Sequence, residues 1–336
     1  MTLRRAAAAA VIAILVVFGA SPAGAHTTGG PPASNFRTEL TGMAPPSPGV
    51  VVSLAPDHEQ LQLRVDGRHA VVVLGYQGEP YLRVDAGGVF ENVRSPAVVA
   101  NRTRIPTASP ANETGSTRWR RVSGRAVARW HDHRAHWMGG ITPRVVRRDP
   151  DHGHVVERWS IPVQVDGHRA RIRGHVRWAP PSTEWPWWVG AVISAGALVT
   201  VAARPRIARG GLATALLLMA GAEAAHLWGG WPFSTGSILG RLGEAIPSIA
   251  AIAACLGALT WLLRTNPWRS APALILAGLF VFVSGGIADL SSLSHMFIPS
   301  RVPADVARAL VAVALGLGAG TAIAGGLRLR APRPSS

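Results

Sequence analysis

The stretch WPWWVGAVISAGALVTVAA at positions 185–203 divides this chain, because three tryptophans there open a long apolar run. Tryptophan is enriched where a membrane protein passes from water into lipid, and about 20 apolar residues in a helix span a bilayer. Four further apolar stretches follow, at about 211–230, 245–263, 272–292 and 306–327. The sequence therefore predicts an all-α domain of five transmembrane helices over residues 182–330.

The arginines between these spans predict the orientation. Most of them fall in alternate connections or after the last span: Arg204, Arg206, Arg209, Arg264, Arg269, Arg328, Arg330 and Arg333. The other connections hold only Arg241 and Arg301, with Arg308 near the start of the last span. Basic loops stay on the cytoplasmic side of a membrane. The pattern predicts a multi-pass protein of the cell membrane with a cytoplasmic tail at 331–336 and an extracytoplasmic N-terminal domain.

Residues 1–25 have the three parts of a secretory signal peptide. Two arginines precede the apolar run 6–18, and the small-residue box Ala23-Gly24-Ala25 follows it. Cleavage after this box would make His26 the first residue of the mature chain. The signal peptide and the arginine pattern agree that residues 26–181 are exported.

Composition removes several functional classes. The net charge is +16, and all 34 basic residues are arginines. Because the predicted topology accounts for much of this excess, we expect no nucleic-acid partner. The single cysteine, Cys255, lies in an apolar run. Intrachain disulfides, thiolate-rich metal sites and blue-copper centres are thereby excluded.

Residues 26–181 have the composition of a folded, water-facing domain. Short runs of β-branched or alternating character recur between turn signals such as Asp166-Gly167. The pattern predicts an exported all-β sandwich of about seven to nine antiparallel strands, of the immunoglobulin or cupredoxin-like kind. Segments 29–48 and 103–116, rich in Pro, Ser, Thr and Asn, are predicted to be a leader and a long loop.

The densest chemical signal is WHDHRAHWMG at 130–139. On a strand His131 and His133 would share a face, and a following turn would bring His136 beside them. Imidazoles bind copper, zinc, nickel and iron. Asp132 or a backbone carbonyl would orient one of the rings. The alternative is a basic, aromatic loop whose histidines are merely solvated.

An N-terminal His26 would add a second source of ligands. Its free amine and ring Nδ1 can chelate one ion together, and a further imidazole completes the set. The amine has an ordinary pKa of about 8, so a metal displaces its proton at modest cost near neutral pH. Nitrogen-only, tetragonal ligation favours Cu(II) over zinc. The alternative is that cleavage merely happens to expose a histidine.

Two resemblances bear on this site. The mature N-terminal histidine, with Trp159-x6-Asp166-Gly167-His168-x5-Gly174-x3-Trp178, resembles CopC-type periplasmic copper carriers. It implies that Asp166 and His168 join His26, and a CopC domain before membrane spans is similar to CopC–CopD fusions, which are associated with copper uptake. The pattern of His26 with His131 and His133 is instead similar to the copper-bearing subunit of particulate methane and ammonia monooxygenases.

The two resemblances disagree about the ligands that complete the site. We favour His131 and His133, because two imidazoles are stronger copper ligands than one imidazole and a carboxylate, and because Asp166-Gly167 is also typical of a hairpin turn. The strings at 130–139 and 74–82 also resemble an uncharacterised actinobacterial membrane protein family, which implies no function.

Charged residues are expensive in lipid, so those inside the spans are informative. Glu223 and His226 lie three residues apart in the second span and share a helical face. Asp289 and His295 lie at the end of the fourth. In the predicted topology all four are in the outer half of the membrane. They either cap helices near the interface or form a polar pathway for an ion.

The sequence thus predicts a membrane-anchored, extracytoplasmic protein that binds Cu(II) for acquisition, buffering or handover of copper. Its expected partners are the metal ion, the lipid bilayer and other membrane or copper-carrier proteins. No hydrolase, P-loop or dinucleotide motif occurs in a suitable context, which favours a binding protein over an enzyme. A copper-dependent oxidative enzyme subunit and a metal-free envelope assembly or interaction protein are the alternatives.

Overall fold

The computed structural model describes residues 32–56, 58–102, 116–234, 238–265 and 269–330. It divides into two compact units: a β unit, Asn35–Pro180, and a membrane unit that contains Pro181 onward together with the described residues up to Ser34. The predicted signal peptide, His26 and the predicted tail at 331–336 lie outside the described residues.

Antiparallel strands build the β unit. They are β1 (Phe36–Ala44), β2 (Val50–Leu54), β3 (Gln60–Val65), β4 (Val71–Leu74), β5 (Pro80–Asp85), β6 (Gly88–Asn92), β7 (Trp119–Ser123), β8 (Val127–His131), β9 (His154–Val165) and β10 (His168–Trp178). One sheet has the order β1-β10-β9-β4-β5-β6-β7 and the other the order β2-β3-β8. Two short helices, α1 (Pro96–Ala100) and α2 (Arg144–Arg148), lie in the connections. The predicted sandwich is confirmed in this coarse form.

The long hairpin of β9 and β10 shows how the sequence pattern produces the core. Alternate residues of β9, including Ile161 and Val163, are buried, as is Ile172 of β10. Successive side chains of a strand point to opposite faces, so one face of each strand enters the core. Asp166 and Gly167 turn the chain with φ of 50° and 82°, the left-handed backbone that a tight hairpin requires.

Strand β1 corrects the sequence prediction. Residues 29–48 were expected to form a leader, but Phe36–Ala44 pairs with β10 and contributes the buried Thr38 to the interior. The local sequence conceals this strand because Pro and Ser flank it and a threonine occupies a core position. Its partner lies more than a hundred residues later in the chain, a relation that local periodicity does not contain.

The membrane unit consists of helices. They are α3 (Trp185–Ala202), α4 (Ala208–Gly230), α5 (Ile238–Arg264), α6 (Ala271–Val281), the single turn α7 (Ser291–Ser294) and α8 (Ala304–Arg330). After α6 the chain continues helically through a π turn, Phe282–Gly286, and a 3₁₀ turn, Ile287–Asp289. Five of the described helical segments are long and apolar enough to cross a membrane. The predicted five-helix domain is confirmed, and the chain has the character of a multi-pass membrane protein.

Glycines let α8 approach its neighbours closely. A Cβ atom on Gly278 of α6 would lie 2.5 Å from the carbonyl oxygen of Gly318, and one on Gly316 would lie 2.5 Å from the carbonyl oxygen of Ala191 in α3. Lipid provides no hydrophobic force between helices, so such close contacts supply much of their association. The small residues of α8 therefore serve helix packing.

We expect Gly174→Ala to destabilise the β unit. A Cβ at this position would lie 2.1 Å from Cζ2 of Trp159 and 2.2 Å from the carbonyl oxygen of Glu39, so the sheet would have to shift. Overpacking of this kind lowers the free energy of unfolding by about 1–3 kcal/mol. Tryptophan fluorescence during denaturation of the full chain measures the change. Gly140→Ala, where the added atom meets open space, is the control, and equal midpoints for the two variants would contradict the packing argument.

Candidate functional site

Three predicted histidines come together where β8 ends. His131 is the last residue of the strand, His133 begins a 3₁₀ turn and His136 follows that turn. The ring centroids of His131 and His133 are 5.0 Å apart, and those of His131 and His136 are 4.4 Å apart with the planes within 5° of parallel. These three residues are called the histidine cluster below.

A buried ion pair holds this turn in place. Asp132 is fully buried, and its two carboxylate oxygens accept from Nε and Nη2 of Arg134, each at 2.8 Å. Trp130 donates to the same carboxylate from its indole nitrogen. The guanidinium also donates to the carbonyl oxygens of Leu74 and Gly75. The sequence predicts that Asp132 or a backbone carbonyl orients one of the rings; the described bonds of Asp132 are to Arg134 and Trp130.

Hydrogen bonds fix the ring of His136. Its Nε2 lies 2.8 Å from the carbonyl oxygen of Glu59, and its Nδ1 lies 3.1 Å from Oγ1 of Thr38. A carbonyl oxygen only accepts, so Nε2 carries the hydrogen in the neutral ring and Nδ1 carries the lone pair. No local pattern points to Thr38 or Glu59, which are far from the cluster along the chain.

The cluster is not arranged as a finished metal site. No group of three or more His, Cys, Asp or Glu side chains within the described ranges has the geometry to hold a metal ion. The parallel rings of His131 and His136 stack face to face, whereas a shared ion requires their nitrogens to converge. His26 lies outside the described residues, so its part in the site stays a prediction.

The alternative pair, Asp166 and His168, lies at the β9–β10 turn. Asp166 accepts from Nδ1 of His69 at 2.6 Å and from the backbone N–H of Ala70 at 2.8 Å, while His168 is exposed. The hydrogen bond from His69 lowers the pKa of Asp166. The carboxylate that a CopC-like site would use is thus already bonded to His69 and Ala70, which directly precede β4.

The membrane unit brings three of its four predicted polar residues together. Nε2 of His226 lies 3.3 Å from Oδ2 of Asp289, and Ser284 Oγ lies 3.0 Å from Oε1 of Glu223. Glu223 is only 1% exposed. Glu223, His226 and Asp289 are called the acid cluster below. The serine was not predicted, because a single hydroxyl in an apolar span carries no distinctive pattern.

The hydrogen bonds of His295 connect two helices. Its Nδ1 lies 2.7 Å from the carbonyl oxygen of Ser291, and its own carbonyl oxygen accepts from Nη2 of Arg308 at 2.8 Å. Arg308 also donates to the carbonyl oxygen of Ser292. These bonds tie α7 to α8, which is the helix-pinning role that the sequence left open for this histidine.

No family model, curated protein or solved structure matches this chain.

We expect the pKa of His69 to depend on Asp166. The hydrogen bond from the ring to this carboxylate raises the pKa of His69 above 6.5. The stabilisation is therefore complete below the ordinary histidine pKa and is lost as pH rises through the raised value. NMR titration of the histidine rings should show the pKa of His69 falling toward 6.5 in Asp166→Asn. Asp149→Asn is the control, because that carboxylate bonds to His152 instead, and an unchanged His69 titration in Asp166→Asn would refute the coupling.

Proposed function

We propose that the β unit binds one transition-metal ion, Cu(II), at the histidine cluster, with the membrane unit as its anchor. The observation that carries the proposal is the gathering of three imidazoles, with ring centroids 4.4 and 5.0 Å apart, on a turn fixed by a buried ion pair. The β unit is an immunoglobulin or cupredoxin-like sandwich in this proposal and lies outside the cell membrane, with the C-terminus in the cytoplasm.

The tautomer of His136 supports metal binding. A histidine that ligates a metal usually donates its other ring N–H to a carbonyl or carboxylate, which orients the ring and increases its basicity. The bond from Nε2 to the carbonyl oxygen of Glu59 provides this arrangement and leaves Nδ1 as the ligand atom. The hydroxyl of Thr38 occupies that position now, and the metal would displace it.

The stacked rings are a small obstacle to binding. Turning a histidine side chain away from a preferred rotamer costs about 0.5–1.5 kcal/mol, whereas nitrogen and sulfur ligand sets bind a structural zinc ion with about 10–16 kcal/mol. The cost of a few ring rotations is therefore small compared with the free energy of metal binding. Copper is the preferred ion because imidazole nitrogens, with or without the amine of His26, follow the order of divalent affinities in which copper is highest.

The CopC-like ligand set has less support. Its aspartate, Asp166, already bonds His69 and the backbone of Ala70. The resemblances to CopC–CopD fusions and to the copper subunit of the monooxygenases agree on an exported copper site, and we infer acquisition, buffering or handover of the ion as its role. Oxidative chemistry has no further support from the described residues.

Copper binding by the full chain tests the proposal. We expect one Cu(II) per chain, with nitrogen coupling in the EPR spectrum, and an affinity at least about 100-fold weaker in the double variant His131→Ala, His133→Ala, because ligand loss removes several kcal/mol of binding. His152→Ala, at an exposed histidine, is the control, and His168→Ala tests the alternative set.

The same copper measurement distinguishes the two candidate ligand sets. Stoichiometric copper in the double variant would overturn the histidine cluster as the site, and loss of copper in His168→Ala would support the CopC-like set. A chain with one extra residue before His26 tests the N-terminal ligand by itself. If the wild-type chain holds no metal at all, the assembly or interaction alternative is favoured.

Thr38→Val gives a second test, directed at His136. Removing the hydroxyl that lies 3.1 Å from Nδ1 should raise copper affinity several-fold, since the metal no longer has to displace it. The apo chain should lose about 1 kcal/mol of stability with the buried hydrogen bond to the carbonyl oxygen of Ala135. The exposed Thr41 on the same strand provides the control, Thr41→Val. Unchanged copper affinity in Thr38→Val would remove His136 from the ligand set.

A further inference from the structure

Glu223 is a carboxyl buried among membrane helices without a cation of its own. Its neighbours are one histidine and one further acid, His226 and Asp289, whose Nε2 and Oδ2 lie 3.3 Å apart, so a protonated His226 can balance only one of the two acids. The buried arginine Arg308 is bonded elsewhere, to Asp305 and to backbone carbonyls. An ionised Glu223 would therefore leave an uncompensated negative charge in a low-dielectric region, which is costly.

Apart from His226 and Asp289, the described groups around Glu223 are a serine, a cysteine and apolar or hydroxyl side chains. From α5, the fully buried hydroxyl of Ser248 lies within electrostatic reach of the carboxyl without completing a hydrogen bond, and Cys255 lies farther along the same helix. Oε2 of Glu223 has no hydrogen-bond partner among the described residues. Near this part of the membrane unit, α8 contributes Ala314 and Thr321, neither of which is charged. The titratable groups facing Glu223 are thus His226, Asp289 and Cys255.

The hydroxyl of Ser284 has two acceptors and one hydrogen. Its Oγ lies 3.0 Å from Oε1 of Glu223 and 2.8 Å from the carbonyl oxygen of Phe280. When Glu223 is ionised, the hydroxyl can donate to the carboxylate. When Glu223 is protonated, the carboxyl can donate to Oγ while the hydroxyl donates to Phe280. The hydrogen bonding at this contact is therefore satisfied in both protonation states of the acid.

The π turn after α6 makes room for this arrangement. A Cβ atom on Gly285 would lie 2.3 Å from Oε1 of Glu223, so the glycine lets the carboxyl rest against the backbone. Turns of this kind interrupt an α-helix and are frequent at functional sites. Ser284 and Gly285 both belong to this turn, Phe282–Gly286.

Water can approach the acid cluster from one end of the membrane unit. A cavity of about 30 Å³ is lined in part by His226, Asp289 and Ser292. A void of that size holds about two waters. Met219 and Leu216 lie about one and two turns before Glu223 in α4, and both are fully buried in an apolar cluster. The hydrated approach to Glu223 is thus from the side of His226.

We propose that Glu223 is a reversible proton-binding site in the membrane, which exchanges protons with the cavity through the His226–Asp289 pair. Uptake converts the carboxylate and a hydronium ion in the cavity into a carboxylic acid and water. The net charge of the acid cluster then rises by one unit. This inference is independent of the copper site.

Infrared difference spectroscopy of the full chain in lipid nanodiscs tests the assignment. We expect the carbonyl stretch of a protonated carboxylic acid, which disappears as the pH is raised and is lost entirely in Glu223→Gln. Glu184→Gln, at an exposed glutamate before the first span, should keep the signal. Ser284→Ala should keep it as well, with a shifted pH midpoint, because the two protonation states lose hydrogen bonds of different strength.

Three outcomes would overturn the assignment of a reversible proton site. A buried carboxyl signal that stays constant over the whole pH range would show a fixed proton. A pH-dependent signal that survives in Glu223→Gln would belong to another acid. The titration is repeated with choline in place of sodium, and a midpoint that depends on sodium would assign the site to a metal cation instead.

Access through the cavity is tested by deuterium exchange of the same carboxyl. Val302 lines the cavity, whereas Val306 is exposed on the outside of α8. We expect Val302→Trp to slow exchange at least tenfold and Val306→Trp to leave it unchanged. Equal exchange in both variants would overturn the route from the cavity.

Discussion

The histidine cluster depends on one buried interaction, the ion pair of Asp132 and Arg134. A fully buried carboxylate is tolerated only when its charge and its lone pairs are satisfied, and here a forked guanidinium and an indole N–H satisfy them. Because Arg134 also donates to two carbonyl oxygens of another strand end, the pair anchors the turn to the rest of the β unit. The residues on either side of Asp132 are the first two histidines. Their positions therefore follow from a charge that must stay paired.

What the sequence could reveal depended on how local the physical signal was. A transmembrane helix is predictable because about 20 consecutive residues are apolar. The β9–β10 hairpin is predictable because apolar and polar residues alternate on both sides of the turn Asp166-Gly167. The grouping of His131, His133 and His136 follows from their spacing on a strand end and turn. Each of these signals lies within a short window of the chain.

The features that sequence reasoning missed are long-range. Strand β1 is defined by pairing with β10, and Thr38 and Glu59 reach His136 only after the sheets assemble. Ser284 acquires meaning only because the π turn places it against an acid from another helix. In each case the partner is chosen by folding, and neither composition nor periodicity contains it.

The two candidate sites share a principle although their surroundings differ. At His136 the hydroxyl of Thr38 lies against both a ring nitrogen and the carbonyl oxygen of Ala135; at Glu223 the hydroxyl of Ser284 lies against both a carboxyl and the carbonyl oxygen of Phe280. A hydroxyl has one hydrogen, so in each place it can bond the backbone carbonyl and still accept from, or yield to, whatever binds the neighbouring group. A side chain with two permanent partners would have to break a bond before a proton or metal ion could enter. Here the carbonyl provides the alternative partner in advance, which lowers the cost of exchange at both positions.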